Sequence, residues 1–182
     1  MQETQSSLWF EDNFKKLHPL LQDLHIHGGI LSGPVNITLA KGLPGVFAER
    51  IAKKLGIPTT KQAHTLQVNI SHCEDGLHWD RCFDNANEFK SIFKPVGTQS
   101  TGYWLENTGD FQLKLTVDIQ QSAWHWRCIK NSIKGINIPM WLFPQTTAYK
   151  TIENNAYRFY VGFSLPVFGE VLSYSGLLNI AD

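Results

Sequence analysis

The sequence predicts an α+β chain that is mainly β, in which about nine or ten antiparallel strands form a barrel or a strongly curved sheet. Apolar residues recur at helical spacing in the first third of the chain, and they alternate with polar residues from His64 onward. Turn residues separate more strand segments than a flat open sheet accommodates. Two or three helices are therefore expected in the N-terminal third, where they plug one end of the barrel or pack on one face.

Helical patterns precede the strands. An apolar stripe at helical spacing comprises Phe10, Phe14, Leu17, Leu21 and Leu24. Pro19 interrupts this stripe because its ring clashes with the preceding turn, so a second short helix is expected to begin there and to end at Gly28-Gly29. A separate helix is predicted over 45–55, with basic residues in its last turn. Its apolar face is formed by Phe47, Ile51 and Leu55.

Strict alternation of apolar and polar residues marks three strands, at 64–71, 111–120 and 157–164. Weaker signals of the same kind lie at 35–39, 77–83, 88–94, 101–106, 123–133, 147–153 and 171–178. Asn, Asp, Gly and Pro residues occupy the turns between these segments. Strands with one buried and one wet face are typical of antiparallel sheet.

Length and composition indicate a single globular domain over 1–182, with 1–16 as a loosely packed N-terminal helix. Sixteen basic residues balance sixteen acidic ones, which argues against a nucleic-acid-binding protein. No apolar run is long enough to span a bilayer, and the first residues show no secretory signal pattern. The three cysteines are therefore expected to be reduced thiols, and the protein is expected to be cytoplasmic.

The segment 77–83 carries the most informative pattern. As a strand, it places on one face Leu77, Trp79, Arg81 and Phe83. A charge on an inward face is costly unless it is paired, so Arg81 needs either a fixed acid or an anionic ligand. Otherwise Arg81 lies at the barrel rim with its head group in water. The candidate acids are Glu106, Asp110 and Glu153.

Other segments give weaker indications of chemistry. Trp124 and Trp126 share a strand face, where they form either the wall of a ligand pocket or plain core. The His25-Ile26-His27 pair lacks partners at metal-binding spacing, so no metal site is expected. No phosphate-cradling loop, nucleophile elbow or paired-carboxylate motif is recognisable, so no cofactor and no catalytic residue are predicted.

The stretch 137–144 is very apolar for a loop. It is a lid over a cavity mouth, a docking site or a buried segment, and the sequence leaves these alternatives open. Exposure of Trp9 or Trp141 would favour docking, because large apolar patches on a soluble domain mark interaction sites.

Three groups of residues follow a pattern shared with a known family. They are Trp79-x-Arg81-x-Phe83, then Gly135-x-x-x-Pro139-x-x-Leu142-x-Pro144, then Leu165-Pro166-x-x-Gly169-x-x-x-x-Tyr174-x-Gly176-x-Leu178. Over about 17–178 the chain resembles the bacterial domain of unknown function numbered 4166. In that family the domain often follows a saccharopine-dehydrogenase-like NAD-binding domain. This sequence has no GxGxxG motif after a strand, so the resemblance implies a stand-alone form whose oxidoreductase chemistry belongs to a partner.

These observations favour a module that holds an amphipathic, acidic, lipid-like ligand in a β-barrel cavity. The predicted ligand-binding residues are Arg81, Trp79, Phe83, Trp124, Trp126 and Tyr174. Arg81 would hold the acidic head group, and the aromatic residues would wall the cavity. The alternatives are an accessory domain for a separately encoded NAD-dependent oxidoreductase, and a cavity enzyme such as an isomerase or hydrolase.

Overall fold

In the computed structural model, which describes residues 4–60 and 63–181, ten antiparallel strands close into a barrel and an eleventh strand lies beside it. The strands are β1 Gly29–Leu39, β2 Ala63–Cys73, β3 Gly76–Phe83, β4 Asn87–Val96, β5 Tyr103–Thr108, β6 Phe111–Gln120, β7 Ala123–Ile133, β8 Ile136–Ile138, β9 Gln145–Glu153, β10 Ala156–Leu165 and β11 Gly169–Ile180. The ring runs β1-β2-β3-β4-β5-β6-β7-β9-β10-β11, and β11 pairs with β1 to close it. The predicted antiparallel barrel is confirmed.

Most strand bounds lie within a few residues of the predicted ones, and two differences are larger. β1 begins at Gly29, before the apolar signal at 35–39, because Ser32, Gly33 and Pro34 interrupt the alternation. Gly33 is needed there, since a Cβ at this position would overlap the backbone carbonyl oxygen of Leu177 in β11. β8 was not predicted, because three residues are too few to show a period of two.

The N-terminal segment closes one end of the barrel. α1 (Gln5–Phe10) leads into a 3-10 helix (Glu11–Lys16). Trp9, Phe10 and Phe14 are buried, and the Trp9 indole N–H donates a hydrogen bond to the carbonyl of Val96 at 3.3 Å. The expectation of a loosely packed N-terminal helix is therefore not met, because these three aromatic side chains fill the barrel end.

The apolar stripe from Phe10 to Leu24 is buried throughout, but it does not lie on one helix. The backbone leaves the α conformation at Glu11, which has φ 53°. Pro19 begins α2 (Pro19–His27) as predicted, and Gly28 ends it in a positive-φ conformation that glycine adopts without strain. None of the helices in the described part of the chain is long and apolar enough to cross a membrane.

α3 (Leu43–Lys54) lies at the opposite end of the barrel, beyond the end of β1. Its small residues Gly45, Ala48 and Ala52 are buried, and the helix contacts β1 and β11. The larger apolar residues that were predicted to form its packing face are not fully buried; Phe47 is 43% exposed. α3 therefore packs through small side chains and keeps its large apolar ones at the end of the barrel.

Candidate functional site

A cavity of about 860 Å³ extends from the middle of the barrel to α3 and the segment 138–144. Most of its lining is apolar or aromatic, and it includes Trp79, Phe93, Leu115, Trp126 and Phe159. This volume and this kind of lining are usual for sites that bind small molecules. The N-terminal helices close the other end of the barrel, so we call the α3 end the mouth.

The basic side chains of the cavity outnumber the acidic ones. Five basic side chains and one carboxylate line it: Arg50, Lys53, Lys54, Arg81 and Lys150, with Glu106. The first three project from α3 at the mouth, whereas Arg81, Lys150 and Glu106 lie on strands inside the barrel. An anionic group would therefore meet an excess of positive charge at the mouth, whereas inside the barrel Arg81 and Lys150 lie with Glu106.

Arg81 is held by neutral hydroxyl groups. Its Nη1 donates a hydrogen bond to Ser91 Oγ at 2.9 Å, and Ser91 Oγ lies 2.5 Å from Thr108 Oγ1. The Thr108 hydroxyl donates in turn to Glu106 Oε1 at 3.0 Å. The guanidinium also lies over the rings of Trp79 and Phe89, at 5.7 and 4.9 Å from the ring centroids. These contacts leave the charge of Arg81 solvated by hydroxyl and aromatic groups.

Three carboxylates were candidates for a direct partner of Arg81. Glu106 reaches it only through two hydroxyls. Asp110 pairs with Lys134 at 3.6 Å, and Glu153 pairs with Arg158. Within residues 4–60 and 63–181, Arg81 forms no direct ion pair with a carboxylate.

Lys150 of β9 is buried in a cage of indole rings. Its Nζ lies 3.6 Å from the ring centroid of Trp79, 4.6 Å from that of Trp124 and 5.3 Å from that of Trp126. Burial lowers the pKa of Lys150 well below its usual value, and the charge of Arg81 lowers it further. The cavity thus contains an amine that gains a proton less readily than a surface lysine.

His25 of α2 contacts this amine from the plugged end. Its Nδ1–H donates to the carbonyl of Leu21 at 2.7 Å, which leaves Nε2 as an acceptor 3.3 Å from Lys150 Nζ. The imidazole stacks on Trp124 with ring centroids 4.4 Å apart. Burial, together with the nearby Lys150, lowers the pKa of His25 well below its usual value. The ring is therefore held neutral and in one tautomer.

Two tyrosines complete the polar cluster of the cavity, by which we mean Arg81, Lys150, His25, Tyr157 and Tyr174. Tyr157 and Tyr174 line the cavity and are buried, and burial raises the pKa of both phenols. The Tyr157 hydroxyl is buried and finds no hydrogen-bond partner in the described part of the chain. A buried hydroxyl in this state costs stability, so a ligand atom that accepted a hydrogen bond from it would be favoured.

The structure brings four of the six predicted ligand-binding residues to the cavity wall: Trp79, Arg81, Trp126 and Tyr174. Phe83 and Trp124 are not among the lining residues. Phe83 is fully buried against Phe89 at a centroid distance of 6.1 Å, and Trp124 lies between His25 and Phe10. Both therefore support the wall from behind.

Lys150 was not predicted as a site residue. Ala148 and Ile152, two residues before and after it, are apolar and point to the same side of β9. Lys150 is thus a basic residue on an apolar strand face, which is the pattern that singled out Arg81. The polar neighbours Thr146 and Thr147 weakened that signal.

The histidine pair that could suggest a metal site is divided between two environments. His25 binds Lys150, whereas His27 is half-exposed and lies 3.6 Å from Asp23. Elsewhere, the ligand atoms of Cys73, Asp75 and His78 lie within 4.8 Å of one another at the turn between β2 and β3. His78 already binds Asp75 at 2.6 Å there, and this hydrogen bond lowers the pKa of the Asp75 carboxyl. That turn is not part of the cavity.

Fold and cavity define a class of protein: a ten-stranded antiparallel barrel, plugged by helices at one end, with a basic and phenolic cluster inside. The chain belongs to the family described as Domain of unknown function (DUF4166), whose model matches residues 17–178. The match contains every residue of the polar cluster. No curated protein matches the chain.

Proposed function

We propose that the barrel is a binding module for an amphipathic molecule with one acidic group. The acid binds at Arg81, and the apolar body lies along the aromatic wall toward the mouth. The observation that carries this proposal is the state of Arg81, a cavity-lining guanidinium that donates to a hydroxyl and has no directly paired carboxylate among the described residues.

An acidic group would satisfy several side chains together. A carboxylate accepts two parallel hydrogen bonds from a guanidinium, and such charge-assisted bonds are stronger than the bond to Ser91. The unpartnered hydroxyl of Tyr157 offers a further donor. Tyr157 and Arg81 both lie beside the ring of Trp79, with the Tyr157 ring centroid 6.4 Å and the guanidinium 5.7 Å from the centroid of that ring. A bound anion would also raise the pKa of Lys150, so binding is expected to be accompanied by proton uptake.

The shape of the cavity supports an elongated apolar body. The lining residues run from Trp79 in the barrel interior to Leu142 and Phe143 near the mouth. Between these points the wall is formed mainly by phenyl, indole and aliphatic groups. A purely polar anion would leave most of this surface in contact with water, whereas an acyl or polycyclic body would cover it.

Oleate and oleyl alcohol, which share one chain and differ in the acidic group, test the proposal. Isothermal titration of the wild-type protein is expected to give binding of oleate that is about tenfold or more tighter than binding of the alcohol, the equivalent of one charge-assisted hydrogen bond. Arg81→Met is expected to abolish this preference. The matched control is Arg127→Met, because Arg127 is an exposed arginine on β7 that pairs with Asp118.

Equal affinity for the two probes would refute the proposal, and so would retention of the preference in Arg81→Met. Thermal unfolding of each variant checks that it is folded. The comparison of the two probes on the wild-type protein needs no variant, so it decides the proposal even if Arg81→Met does not fold.

A further inference from the structure

The exposed apolar side chains of the protein concentrate at the mouth. Of thirteen large apolar residues that are exposed in the described part of the chain, eight lie at this end of the barrel. They are Leu43, Val46, Phe47, Ile136, Trp141, Leu142, Val167 and Phe168. We call these eight residues the mouth surface.

Two separate elements of the mouth surface are in direct contact. The rings of Phe47 in α3 and Phe168 in the turn between β10 and β11 stack with centroids 6.2 Å apart. Phe47 and Leu142 also line the cavity, so the surface reaches the cavity opening. Trp141 is 69% exposed, and large exposed indoles of this kind are enriched where proteins meet the interface of a bilayer.

Val167 is the most exposed residue of the mouth surface and has an unfavourable backbone conformation. Its side chain is fully exposed and its φ is 74°, a region that β-branched residues rarely occupy. Neither property stabilises the isolated barrel. An apolar side chain held outward at a backbone cost is consistent with a surface that is covered when the protein functions.

The charges on α3 and just before it, beside this surface, are mainly positive. The segment 41–54 carries Lys41, Arg50, Lys53 and Lys54 against a single acid, Glu49, and all five are exposed. The net charge of the whole chain is zero, so this segment concentrates a local excess. Large apolar residues beside basic ones on a short surface helix are the pattern of helices that lie in the interface of an anionic membrane.

We propose that the mouth surface docks the barrel onto an anionic lipid bilayer. α3, Trp141 and the Val167-Phe168 turn then enter the headgroup region, and the basic residues of α3 face the lipid phosphates. In this orientation the cavity opens directly into the bilayer. The proposal goes beyond ligand binding and does not depend on which molecule the cavity holds.

Cosedimentation with lipid vesicles tests the docking. Two vesicle types are compared, phosphatidylcholine alone and an equimolar mixture of phosphatidylcholine and phosphatidylglycerol. The wild-type protein is expected to sediment with the mixed vesicles, at least fivefold more than with the neutral ones, and to be released by added salt because the attraction is electrostatic. The double variant Trp141→Ala, Phe168→Ala is expected to lose this binding. Neither residue lines the cavity.

The matched control is the double variant Leu8→Ala, Ile180→Ala, which removes two apolar residues that are similarly exposed but lie at the plugged end. This variant is expected to sediment like the wild type. Absence of vesicle binding, equal binding to both vesicle types, or equal loss in the two double variants would overturn the proposal. A dimer that forms without vesicles and dissociates in Trp141→Ala, Phe168→Ala would also overturn it, because a second protein copy would then cover the surface.

Oleate binding without vesicles, measured on the same samples, separates this proposal from the ligand-binding one. Trp141→Ala, Phe168→Ala is expected to retain oleate binding, whereas Arg81→Met is expected to retain vesicle binding. If the ligand-binding proposal fails, oleate binding is affected, and if the docking proposal fails, vesicle binding is affected, so the two failures can be told apart.

Discussion

The protein is expected to lose stability as the pH falls from about 7.5 to about 5, and replacing His25 with glutamine is expected to prevent much of that loss. Burial keeps the His25 imidazole neutral in the folded state, with its Nε2 against Lys150. In the unfolded chain the same imidazole takes up a proton near its usual pKa of about 6.5. Acid therefore favours the unfolded chain, because only that state binds the additional proton.

The magnitude follows from the difference in proton binding. Each pH unit below 6.5 lowers the free energy of unfolding by about 1.4 kcal/mol while the folded imidazole stays neutral. Between pH 6.5 and pH 5 the loss from His25 is thus up to about 2 kcal/mol. His72 also has a lowered pKa because it is partly buried, and its smaller contribution is common to wild type and variant.

Urea unfolding at the two pH values measures this difference. His25→Gln does not titrate, and its amide can still accept a hydrogen bond from Lys150. The matched control is His27→Gln, since His27 is on the same helix with its side chain 59% exposed. We expect the wild type and His27→Gln to lose up to about 2 kcal/mol more than His25→Gln on acidification. An equal loss in all three proteins would refute the assignment of a neutral, buried His25.

Further predictions concern packing and cysteine reactivity. Phe83→Ala removes a fully buried ring and is expected to lower the free energy of unfolding in urea by about 3–5 kcal/mol. Phe168→Ala at the exposed mouth should change it by less than about 0.5 kcal/mol. Similar losses in the two variants would contradict the burial described. Gly176→Val should lower stability by about 1–3 kcal/mol, because a Cβ there overlaps the carbonyl oxygen of Pro34 in β1; an unchanged unfolding midpoint would contradict this. Burial raises the pKa of Cys128 to about 11, so iodoacetamide at neutral pH should alkylate the exposed Cys73 before Cys128. Peptide mass spectrometry follows the order of labelling, and labelling of Cys128 before Cys73 would be inconsistent with the structure.

Local periodicity was sufficient to predict the ten strands of the barrel, because alternation of side chains is a property of each strand alone. The same reasoning placed Arg81 on an inward face before its surroundings were known. Alternation does not give the depth of a residue along the barrel. Phe83 lies on the same side of β3 as Trp79 and Arg81, yet it packs outside the cavity lining because the depth of a residue depends on strand register and on what fills each end.

The aromatic cage of Lys150 could not be predicted in the same way. Trp124 is its direct neighbour in the register of β7 and β9, but Trp79 approaches from β3 across the interior. Contacts across a barrel depend on closure of the whole ring, which no spacing within one segment encodes. The contact between His25 and Lys150 is still harder to predict from the sequence, because the position of His25 depends on how the N-terminal helices enter the barrel.

The plug also affects how a shortened form of the protein would behave. Trp9, Phe10 and Phe14 precede the residues that match the family model, yet Trp9 packs on Trp104 and Phe10 on Trp124 inside the barrel. A chain trimmed to 17–178 would lose these three aromatic side chains and would keep only α2 at this end of the barrel. Water would reach the indole behind Lys150, and the pKa of that amine would return toward the ordinary lysine value.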